Sequence, residues 1–289
     1  MKASIVISTK DRFDDLVVAV ESCLRQNAGA EIIVIDDGST DATPTEFALR
    51  FPKVNYVRHD KSAGYIVRRN EGARLASGDI IFSIDDDAEF KSPDIVEQVL
   101  NEFENDIVGA VAIPLIEPNL ANTVFQRAPH PEGIWTTSTF KGTAYAVRRS
   151  VFLELGGFRD RLIHQGEEKD FCVRMLEAGF VVRLGRGSAI YHYESPKRDL
   201  RRMNFFGRRN DVLFVWQNVP SIYLLPHAAG TIIKGLIFGL RSGHLASHFQ
   251  GLRQGLTDIV NGRVMRSPVS RASYSRFRAL QSAPSLLTK

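Results

Sequence analysis

The sequence predicts an α/β fold in which helices flank a mostly parallel central sheet, with a helical extension towards the C-terminal end. Over the first 115 residues, short apolar runs of strand length alternate with amphipathic stretches of helix length. The apolar runs are too continuous for strands with one solvated side, which indicates a sheet covered on both faces. With 44% hydrophobic and 24% charged residues, the 289-residue chain has the composition of a globular protein.

Predicted strands and helices follow one another regularly in this first part. The apolar runs that predict strands are residues 3–7, 31–35, 54–57 and 80–84. The amphipathic stretches that predict helices are residues 14–26, 43–50 and 66–76. This alternation is typical of βαβ units, whose ligands bind beyond the carboxyl ends of the strands.

The pattern is less regular after residue 106. Further strands are predicted at residues 107–113, 143–147 and 181–184, and further helices at 149–155 and 167–178. Residues 114–133 carry four prolines and predict a loop-rich segment. We expect one α/β domain over residues 1–195, followed by a basic helical extension over residues 196–262.

Charge is distributed unevenly, although the net charge is only +4. Residues 1–180 carry 20 Lys and Arg against 29 Asp and Glu, whereas residues 181–289 carry 17 against 4. The asymmetry favours a basic C-terminal surface that faces an anionic partner. Nucleic acid, an acidic membrane leaflet and a merely solvated basic face are the three alternatives at this point.

Two features indicate a reducing, cytoplasmic setting. Cys23 and Cys172 are too few and too far apart for a disulfide scaffold or a cysteine-based zinc site. The apolar stretch near the N-terminus is five residues long, so no signal peptide is expected.

Acidic side chains follow two of the predicted buried strands. Asp36 and Asp37 follow the second strand, where carboxylates can accept hydrogen bonds from a base and a ribose, although acids there are also ordinary turn chemistry. Asp85, Asp86 and Asp87 follow the fourth strand and repel one another unless a cation or hydrogen bonds compensate them. A divalent metal on a diphosphate would do so, and a solvated acidic turn is the alternative.

Two further groups of ionisable residues come later in the chain. Glu167, Glu168 and Asp170 begin a predicted helix, where the helix dipole favours acids and where one of them can act as a general base for an acceptor hydroxyl. His192 ends an apolar run. A single histidine there is either structural or completes a metal site.

Six motifs, taken in their order and spacing, resemble glycosyltransferase family 2, the inverting enzymes with the GT-A fold. They are residues 5–12 (IVISTKDR), 31–40 (EIIVIDDGST), 64–79 (GYIVRRNEGARLASGD), 84–87 (IDDD), 142–149 (GTAYAVRR) with 156–158 (GGF), and 166–170 (GEEKD). The resemblance covers about residues 3–220, and Arg209-Asn210 with the apolar run after it is similar to rhamnosyltransferase-like members. It implies a nucleotide-sugar half over about residues 1–115 and an acceptor half over about residues 116–195.

The resemblance also implies a role for each motif. The nucleotide-sugar would be bound by Thr9, Arg12, Asp36, Asp37, Gly64, Arg69, Asp85 and Asp86. The acceptor side would be formed by Gly142, Thr143 and Glu167. Asp87 would ligate Mn2+ or Mg2+, with His192 and Asp85 as further metal ligands. Glu168 would deprotonate the acceptor hydroxyl, with Glu167 and Asp170 as the alternative bases.

The sequence departs from the family pattern in two motifs. The first loop has Lys10 and Asp11 where Tyr and Asn are usual, which alters the wall of the nucleotide pocket. Glu168 stands where aspartate is common, and it offers the same carboxylate chemistry with one more methylene group.

The beginning of the extension is basic and aromatic. Residues 195–210 contain six Lys and Arg together with Phe205 and Phe206. These cations are expected to cover the diphosphate as a lid or to contact an anionic lipid-linked acceptor. No RNA-binding module accompanies the mixture, so nucleic acid is not an expected partner.

The rest of the extension is apolar and then basic again. Residues 222–240 are apolar but interrupted by Pro226, His227 and Lys234, which disfavours a transmembrane helix. An interfacial helix on an anionic membrane, a helix packed on the fold and a homodimer contact remain as alternatives. Small residues recur every fourth position from 235 to 255 and permit close helix packing. Residues 263–289 carry six basic residues and no acid, and they predict a flexible basic tail.

The predicted function is transfer of a sugar from a nucleotide-diphosphate-sugar, UDP- or dTDP-linked, to a hydroxyl of a glycan or lipid-linked acceptor in bacterial surface polysaccharide synthesis. A nucleotidyltransferase that makes nucleotide-sugars is one alternative, but residues 7–10 lack the glycine of a phosphate-binding loop. A non-catalytic sugar-binding protein is another, and the intact acidic motifs argue against it.

Overall fold

The computed structural model describes residues 1–193 and 199–287. Within these ranges it has thirteen strands: β1 (Ala3–Thr9), β2 (Glu31–Asp36), β3 (Asn55–Arg58), β4 (Ile80–Ile84), β5 (Ala88–Phe90), β6 (Val108–Ala112), β7 (Leu115–Glu117), β8 (Ala121–Phe125), β9 (Trp135–Thr137), β10 (Ala144–Arg148), β11 (Val181–Leu184), β12 (Ile190–His192) and β13 (Ser285–Leu286). The same ranges hold ten α-helices: α1 (Phe13–Leu24), α2 (Thr43–Arg50), α3 (Tyr65–Leu75), α4 (Ile95–Asn101), α5 (Arg149–Glu154), α6 (Glu167–Glu177), α7 (Leu200–Asn218), α8 (Ser221–Arg241), α9 (Leu245–Val260) and α10 (Arg271–Ser282). Every strand and helix predicted with bounds over residues 1–184 is present, with ends that differ by at most two residues.

Nine of the described strands form the central sheet, in the order β13-β9-β11-β6-β10-β4-β1-β2-β3. β1, β2, β3 and β4 pair in parallel, as the alternating sequence pattern predicts. β10 lies antiparallel between β4 and β6, so the sheet is parallel in its N-terminal half and mixed beyond it. No helix lies between β6 and β10 in the chain, and parallel pairing of these strands would need such a crossover.

The central sheet is buried on both faces because its strands are apolar at successive positions. Ile5 and Ile7 of β1 pack into the hydrophobic cluster that contains Leu16 of α1. Val6, which points to the other face, packs into the cluster that contains Ile66 of α3. Helices therefore cover the sheet on both sides, and the carboxyl ends of β1, β2 and β4 are left for the acidic loops.

A second sheet corrects the expectation that residues 114–133 are loop-rich. Among the described residues it has four strands, in the order β5-β12-β7-β8, and β7 and β8 both lie in that segment. Its pairing places His192 of β12 opposite Ala88 of β5, directly beside Asp87. This small sheet therefore brings together residues that lie more than a hundred positions apart in the sequence.

Three helices of the extension pack closely through glycines. On α9, a Cβ at Gly251 would collide with the carbonyl oxygen of Phe205 in α7, and one at Gly255 would lie 2.9 Å from Val212 Cβ. On α8, a Cβ at Gly239 would lie 3.2 Å from the His248 ring. The glycines at 235, 239, 251 and 255 therefore serve contacts within the fold, which is one of the alternatives that the sequence left open.

The expectation of a flexible tail over residues 263–289 is wrong for the part of this segment that the structure describes. α10 buries Tyr274, Phe277 and Leu280. It packs against α6 and β9 through apolar positions that stand among the basic residues of this segment. β13 then pairs antiparallel with β9 and extends the central sheet. The predicted boundary at residue 195, with Lys197 and Arg198, lies outside the described residues.

Helix α8 is the most exposed apolar element of the described chain. By length and composition alone it is the one described helix that is long and apolar enough to cross a membrane, with a mean hydropathy of 1.3 over its most apolar window. Only 11% of that window is buried in the fold. The helix continues through Pro226, His227 and Lys234, so the residues that disfavoured a spanning assignment do not interrupt it.

Candidate active site

A cleft of about 900 Å³ opens beside the carboxyl ends of β1 and β4. Thirteen of the fifteen residues proposed from the sequence line it: Thr9, Arg12, Asp37, Gly64, Arg69, Asp85, Asp86, Asp87, Gly142, Thr143, Glu167, Glu168 and His192. The other two, Asp36 and Asp170, are buried outside its wall. The structure thus gathers both acidic loops, the start of α6 and the end of β12 around one space.

Asp85, Asp87 and His192 form a group suited to a divalent cation. One ligand atom from each residue lies within 4.8 Å of the other two. His192 Nε2 is 3.2 Å from Asp87 Oδ1. Two carboxylates and an imidazole nitrogen are ligands that Mn2+ accepts, so the residues fit the metal expected from the sequence.

Glu117 holds the other side of the His192 ring and was missed by sequence reasoning. Its Oε1 is 3.5 Å from His192 Nδ1 and accepts a hydrogen bond from Lys141 Nζ at 2.9 Å. Burial lowers the pKa of His192, but the hydrogen bond to Asp87 and the surrounding carboxylates outweigh it and raise the pKa. A carboxylate behind a ligating histidine fixes the orientation of the ring. The parallel register of β12 with β7 puts Glu117 there.

Thr9 and Arg12 hold the middle of the acidic loop. Thr9 Oγ1 donates a 2.8 Å hydrogen bond to Asp86, and Arg12 Nη1 lies 3.0 Å from Asp86 and 2.9 Å from Asp87. Burial, opposed by Arg12, raises the pKa of Asp86 to about 7. Arg12 thus offsets part of the negative charge of this loop, whereas the family resemblance implies that it binds the nucleotide-sugar.

Asp36 and Asp37 are adjacent in sequence but differ in position. Asp36 is fully buried beneath the cleft and accepts hydrogen bonds from Ser39 N at 2.8 Å and Tyr56 Oη at 2.7 Å. Asp37 lines the cleft and accepts a hydrogen bond from Arg68 Nε at 2.6 Å. The role of Asp36 as an acceptor from a base stays a prediction, and the residue does not line the cleft.

Arg69 connects the two sides of the cleft. Its Nη2 donates a 2.5 Å hydrogen bond to Asp85, and its Nη1 lies 3.3 Å from Glu167 at the start of α6. The guanidinium also lies over the Tyr65 ring, 4.7 Å from its centroid. Arg69 is 6% exposed, so a fixed cation separates the acidic loop from the glutamates.

Glu167 and Glu168 occupy the first turn of α6, which begins after Gly166 in the left-handed conformation. Burial, and next the charge of Glu168, raise the pKa of Glu167 to about 8. Burial also raises the pKa of Glu168, against the attraction of Arg69. Glu167 is fully buried at this helix start, whereas the side chain of Glu168 is partly exposed to the cleft.

Asp170, one turn further along α6, faces away from the cleft. Its Oδ1 accepts hydrogen bonds from Arg159 at 2.6 Å and from Asn218 at 2.8 Å, and its Oδ2 accepts one from Arg174 at 3.1 Å. These three partners connect α6 to α7 and to the loop after α5. The arrangement gives Asp170 a structural place and no route to a ligand in the cleft.

Comparison with known proteins identifies the family of this chain. Residues 4–159 match the family described as glycosyl transferase family 2. The chain belongs to this family. This membership accounts for the order of the acidic loops around the cleft and favours a glycosyltransferase over a nucleotidyltransferase.

This glycosyltransferase is similar in sequence to curated relatives and in fold to solved structures. It is 30% identical over 202 residues to the uncharacterized glycosyltransferase YwdF of Bacillus subtilis, covering 67% of this chain and 75% of that protein. It is 28% identical to the O-antigen biosynthesis protein RfbC of Myxococcus xanthus, covering 68% of this chain and 18% of that protein. The mannosyltransferase PcManGT from Pyrobaculum calidifontis, solved with GDP-Man and Mn2+, has a TM-score of 0.62 at 18% identity, covering 97% and 83% of the two chains. That likeness confirms the GT-A fold expected from the sequence.

Further residues of the glycosyltransferase cleft carried no signal in the sequence. They include Glu117, Phe140, Lys141, His164 and Gln165. Of the basic residues expected to form a lid, Arg202 lines the cleft, whereas Arg208 and Arg209 pair with Asp211 and Asp258 elsewhere. Thr143 Oγ1 is buried in the wall and has no hydrogen-bond partner among the described residues.

Proposed function

We propose that this chain transfers a sugar, a hexose or deoxyhexose, from a nucleotide-diphosphate-sugar to a hydroxyl of a glycan or lipid-linked acceptor, with inversion. One observation carries the proposal. The Asp85–Asp87–His192 group and the Glu168 carboxylate line the same cleft, with Arg69 between them. Sugar transfer to a hydroxyl needs both a site that stabilises a departing diphosphate and a carboxylate that accepts a proton.

The donor side is proposed to bind the nucleotide through the residues after β1, β2 and β4. Mn2+ or Mg2+ held by Asp85, Asp87 and His192 would supply positive charge to the leaving diphosphate. Glu117 orients the His192 ring for this ligation. Arg69 contributes a second, permanent positive charge beside Asp85. UDP- and dTDP-sugars are the proposed donors. Transfer of rhamnose from a dTDP-linked donor would be a rhamnosyltransferase-like activity.

The acceptor side is proposed to use Glu168 as the general base. Its carboxylate lies beside Gly142, whose N–H donates a hydrogen bond to it. Glu168 would take the proton of the acceptor hydroxyl as that oxygen attacks the anomeric carbon from the side opposite the diphosphate. The new glycosidic bond forms as the bond to the diphosphate breaks, and the configuration inverts.

We place this activity in the synthesis of a bacterial surface polysaccharide. The support is the relative RfbC, which is named as an O-antigen biosynthesis protein. A cytoplasmic location, at the inner face of the membrane, is proposed from the exposed apolar helix α8 and the basic C-terminal part. The exposed apolar surface of α8 is alternatively proposed as the interface of a homodimer.

Calorimetric binding of UDP, dTDP, GDP and CDP, each with and without Mn2+, tests the proposal. We expect one nucleotide to bind tightly and only with the metal, and the same metal dependence to disappear in Asp87→Asn. The matched control is Glu89→Gln, an acid of β5 that lies outside the cleft and pairs with Arg25 and Lys91. Failure of all four nucleotides to bind, with or without metal, would refute the proposed function.

A further inference from the structure

A second cleft, of about 600 Å³, lies between α6, α7, α8 and α10 and is rich in basic side chains. We call it the basic cleft. Its cations are Lys169, Arg208, Lys234 and Arg278, against one carboxylate, Asp211, among the described lining residues. The excess of positive charge points to an anionic ligand.

The single carboxylate does not neutralise these cations. Asp211 is 3.1 Å from Arg208 and 3.8 Å from Lys169. Lys234 and Arg278 have no ion pair within the described part of the chain, and both are exposed to the cleft and to solvent. Burial, and next the charges of Lys169, Arg278 and Lys234, lower the pKa of His227 in the same wall to about 4. Two cations are therefore left for a ligand.

The basic cleft adjoins the catalytic cleft through Lys169, which lines both. Lys169 follows Glu168 in α6, so the two clefts meet at the helix turn that carries the proposed base. Burial lowers the pKa of Lys169, as expected for a cation whose nearest carboxylate is 3.8 Å away. A molecule that extends from one cleft into the other would place its anionic part and its hydroxyl in adjacent sites.

Helix α8 joins the basic cleft to an exposed apolar surface. Tyr223, His227, Gly230, Thr231 and Lys234 line the cleft from one face of the helix. The neighbouring face, which we call the apolar face, exposes five large aliphatic side chains by between 45% and 79%: Ile222, Leu225, Ile233, Ile237 and Leu240. At about 100° per residue these five lie within an arc of roughly 120°. An anionic head in the cleft thus has apolar surface directly beside it.

We propose that the basic cleft binds the phosphate or diphosphate group of a lipid-linked acceptor, and that the lipid chain lies along the apolar face of α8. This inference rests on the proposed function, because it assigns the acceptor of the same reaction. It selects the lipid-linked class over a free glycan, since a neutral glycan offers nothing to Lys234 and Arg278 or to the aliphatic face. The acceptor sugar on that phosphate would extend past Lys169 to Glu168.

Binding of farnesyl phosphate, farnesol and inorganic phosphate to the full chain tests this inference. We expect farnesyl phosphate to bind at least about tenfold more tightly than either of the others, because it alone engages both surfaces. The double variant Lys234→Gln/Arg278→Gln is expected to lose about tenfold or more in farnesyl phosphate affinity. Arg276→Gln is the matched control, since Arg276 is exposed on the same helix as Arg278 but does not line the cleft.

Three results would overturn the inference. The first is that the double variant binds farnesyl phosphate as tightly as the wild type does. The second is that inorganic phosphate or farnesol binds as tightly as farnesyl phosphate. The third is that sedimentation shows a dimer that Leu225→Glu dissociates. Nucleotide binding with Mn2+ is measured on the same samples and is expected to be unchanged in the double variant. If the wild type binds no nucleotide, the proposed function is contradicted. If the double variant binds farnesyl phosphate as tightly as the wild type, only the assignment of the basic cleft is contradicted.

Discussion

Gly142 faces the carboxylate of Glu168 so closely that a Cβ at this position would lie 2.6 Å from Glu168 Oε1. The same Cβ would lie 2.8 Å from Arg69 Nη1. A glycine just before β10 thus leaves the space in which the proposed base and its neighbouring cation meet. The close contact between Gly142 and Glu168 explains the glycine at this position. A turn does not require it, since the backbone of Gly142 lies outside the left-handed region.

The variant Gly142→Ala is expected to displace Glu168 and to lower kcat/KM by about a hundredfold, since a misplacement of about 1 Å at a reacting group costs on that order. Nucleotide binding with Mn2+ is expected to remain, because Asp85, Asp87 and His192 lie on the other side of Arg69. Transfer kinetics and calorimetry on the same preparation measure the two effects. Wild-type turnover in this variant would contradict the position assigned to Glu168.

Glu168→Gln is expected to lower kcat by a factor of about 10²–10⁴, the usual contribution of a general base. Donor binding is expected to remain, because the amide keeps the shape of the side chain. Asp170→Asn is the contrasting variant. It weakens the contacts with Arg159, Arg174 and Asn218, so it is expected to lower the melting temperature and leave kcat nearly unchanged. If activity were lost only in Asp170→Asn, Asp170 and not Glu168 would be assigned as the base.

The pH dependence of transfer is expected to report the raised pKa of Glu168. Burial moves this pKa upward from the ordinary 4.5. A base acts only when deprotonated, so kcat/KM should rise with pH along an acid limb whose midpoint lies above 4.5. The residual activity of Glu168→Gln should lack this limb. A midpoint at or below the ordinary glutamate value would argue against burial as the controlling factor.

Glu117→Gln is expected to weaken Mn2+ binding by about 10–100-fold without removing a ligand, as loss of a partner behind a ligating histidine commonly does. His192→Ala should weaken it further because a ligand is lost. Titration of Mn2+ followed by electron paramagnetic resonance measures both. Equal metal affinity in Glu117→Gln and in the wild type would remove Glu117 from the site.

The glycines of the extension are expected to differ sharply in their tolerance of alanine. Gly251→Ala would bring a methyl group onto the carbonyl oxygen of Phe205 and lower the free energy of unfolding by about 1–3 kcal/mol. Gly230→Ala on α8 meets no atom within 4 Å and should raise the stability by up to about 1 kcal/mol through helix propensity. Urea unfolding of the two variants gives the comparison. Equal stabilities would show that α9 does not pack against α7 as described.

The sequence predicts the catalytic domain well because its strands and helices are marked by local patterns. The βαβ alternation fixes the parallel half of the sheet, and acids at the ends of β2 and β4 necessarily come to one edge of it. The family resemblance adds the start of α6 and His192. Thirteen of the fifteen proposed residues consequently line one cleft.

The features that the sequence misses depend on pairing between distant segments. Glu117 is one acid in a proline-rich stretch, and only the register of β7 with β12 brings it to His192. Likewise, β13 is a strand only because β9 offers it an edge. Asp36 and Asp170 carry the same motif signals as their neighbours, and the direction of each side chain decides which of them reaches the cleft.

The proposed metal ligands come from two parts of the chain that fold onto one another only through the small sheet. Asp85 and Asp87 follow β4, whereas His192 ends β12, and β5 joins the two by pairing. Neither part alone holds the complete ligand set. A cation bound by all three residues would therefore be absent from the unfolded chain, and its binding free energy would add to the stability of the native state in proportion to the logarithm of its concentration. The melting temperature of the protein would then rise with the concentration of the free cation, even when no sugar substrate is present.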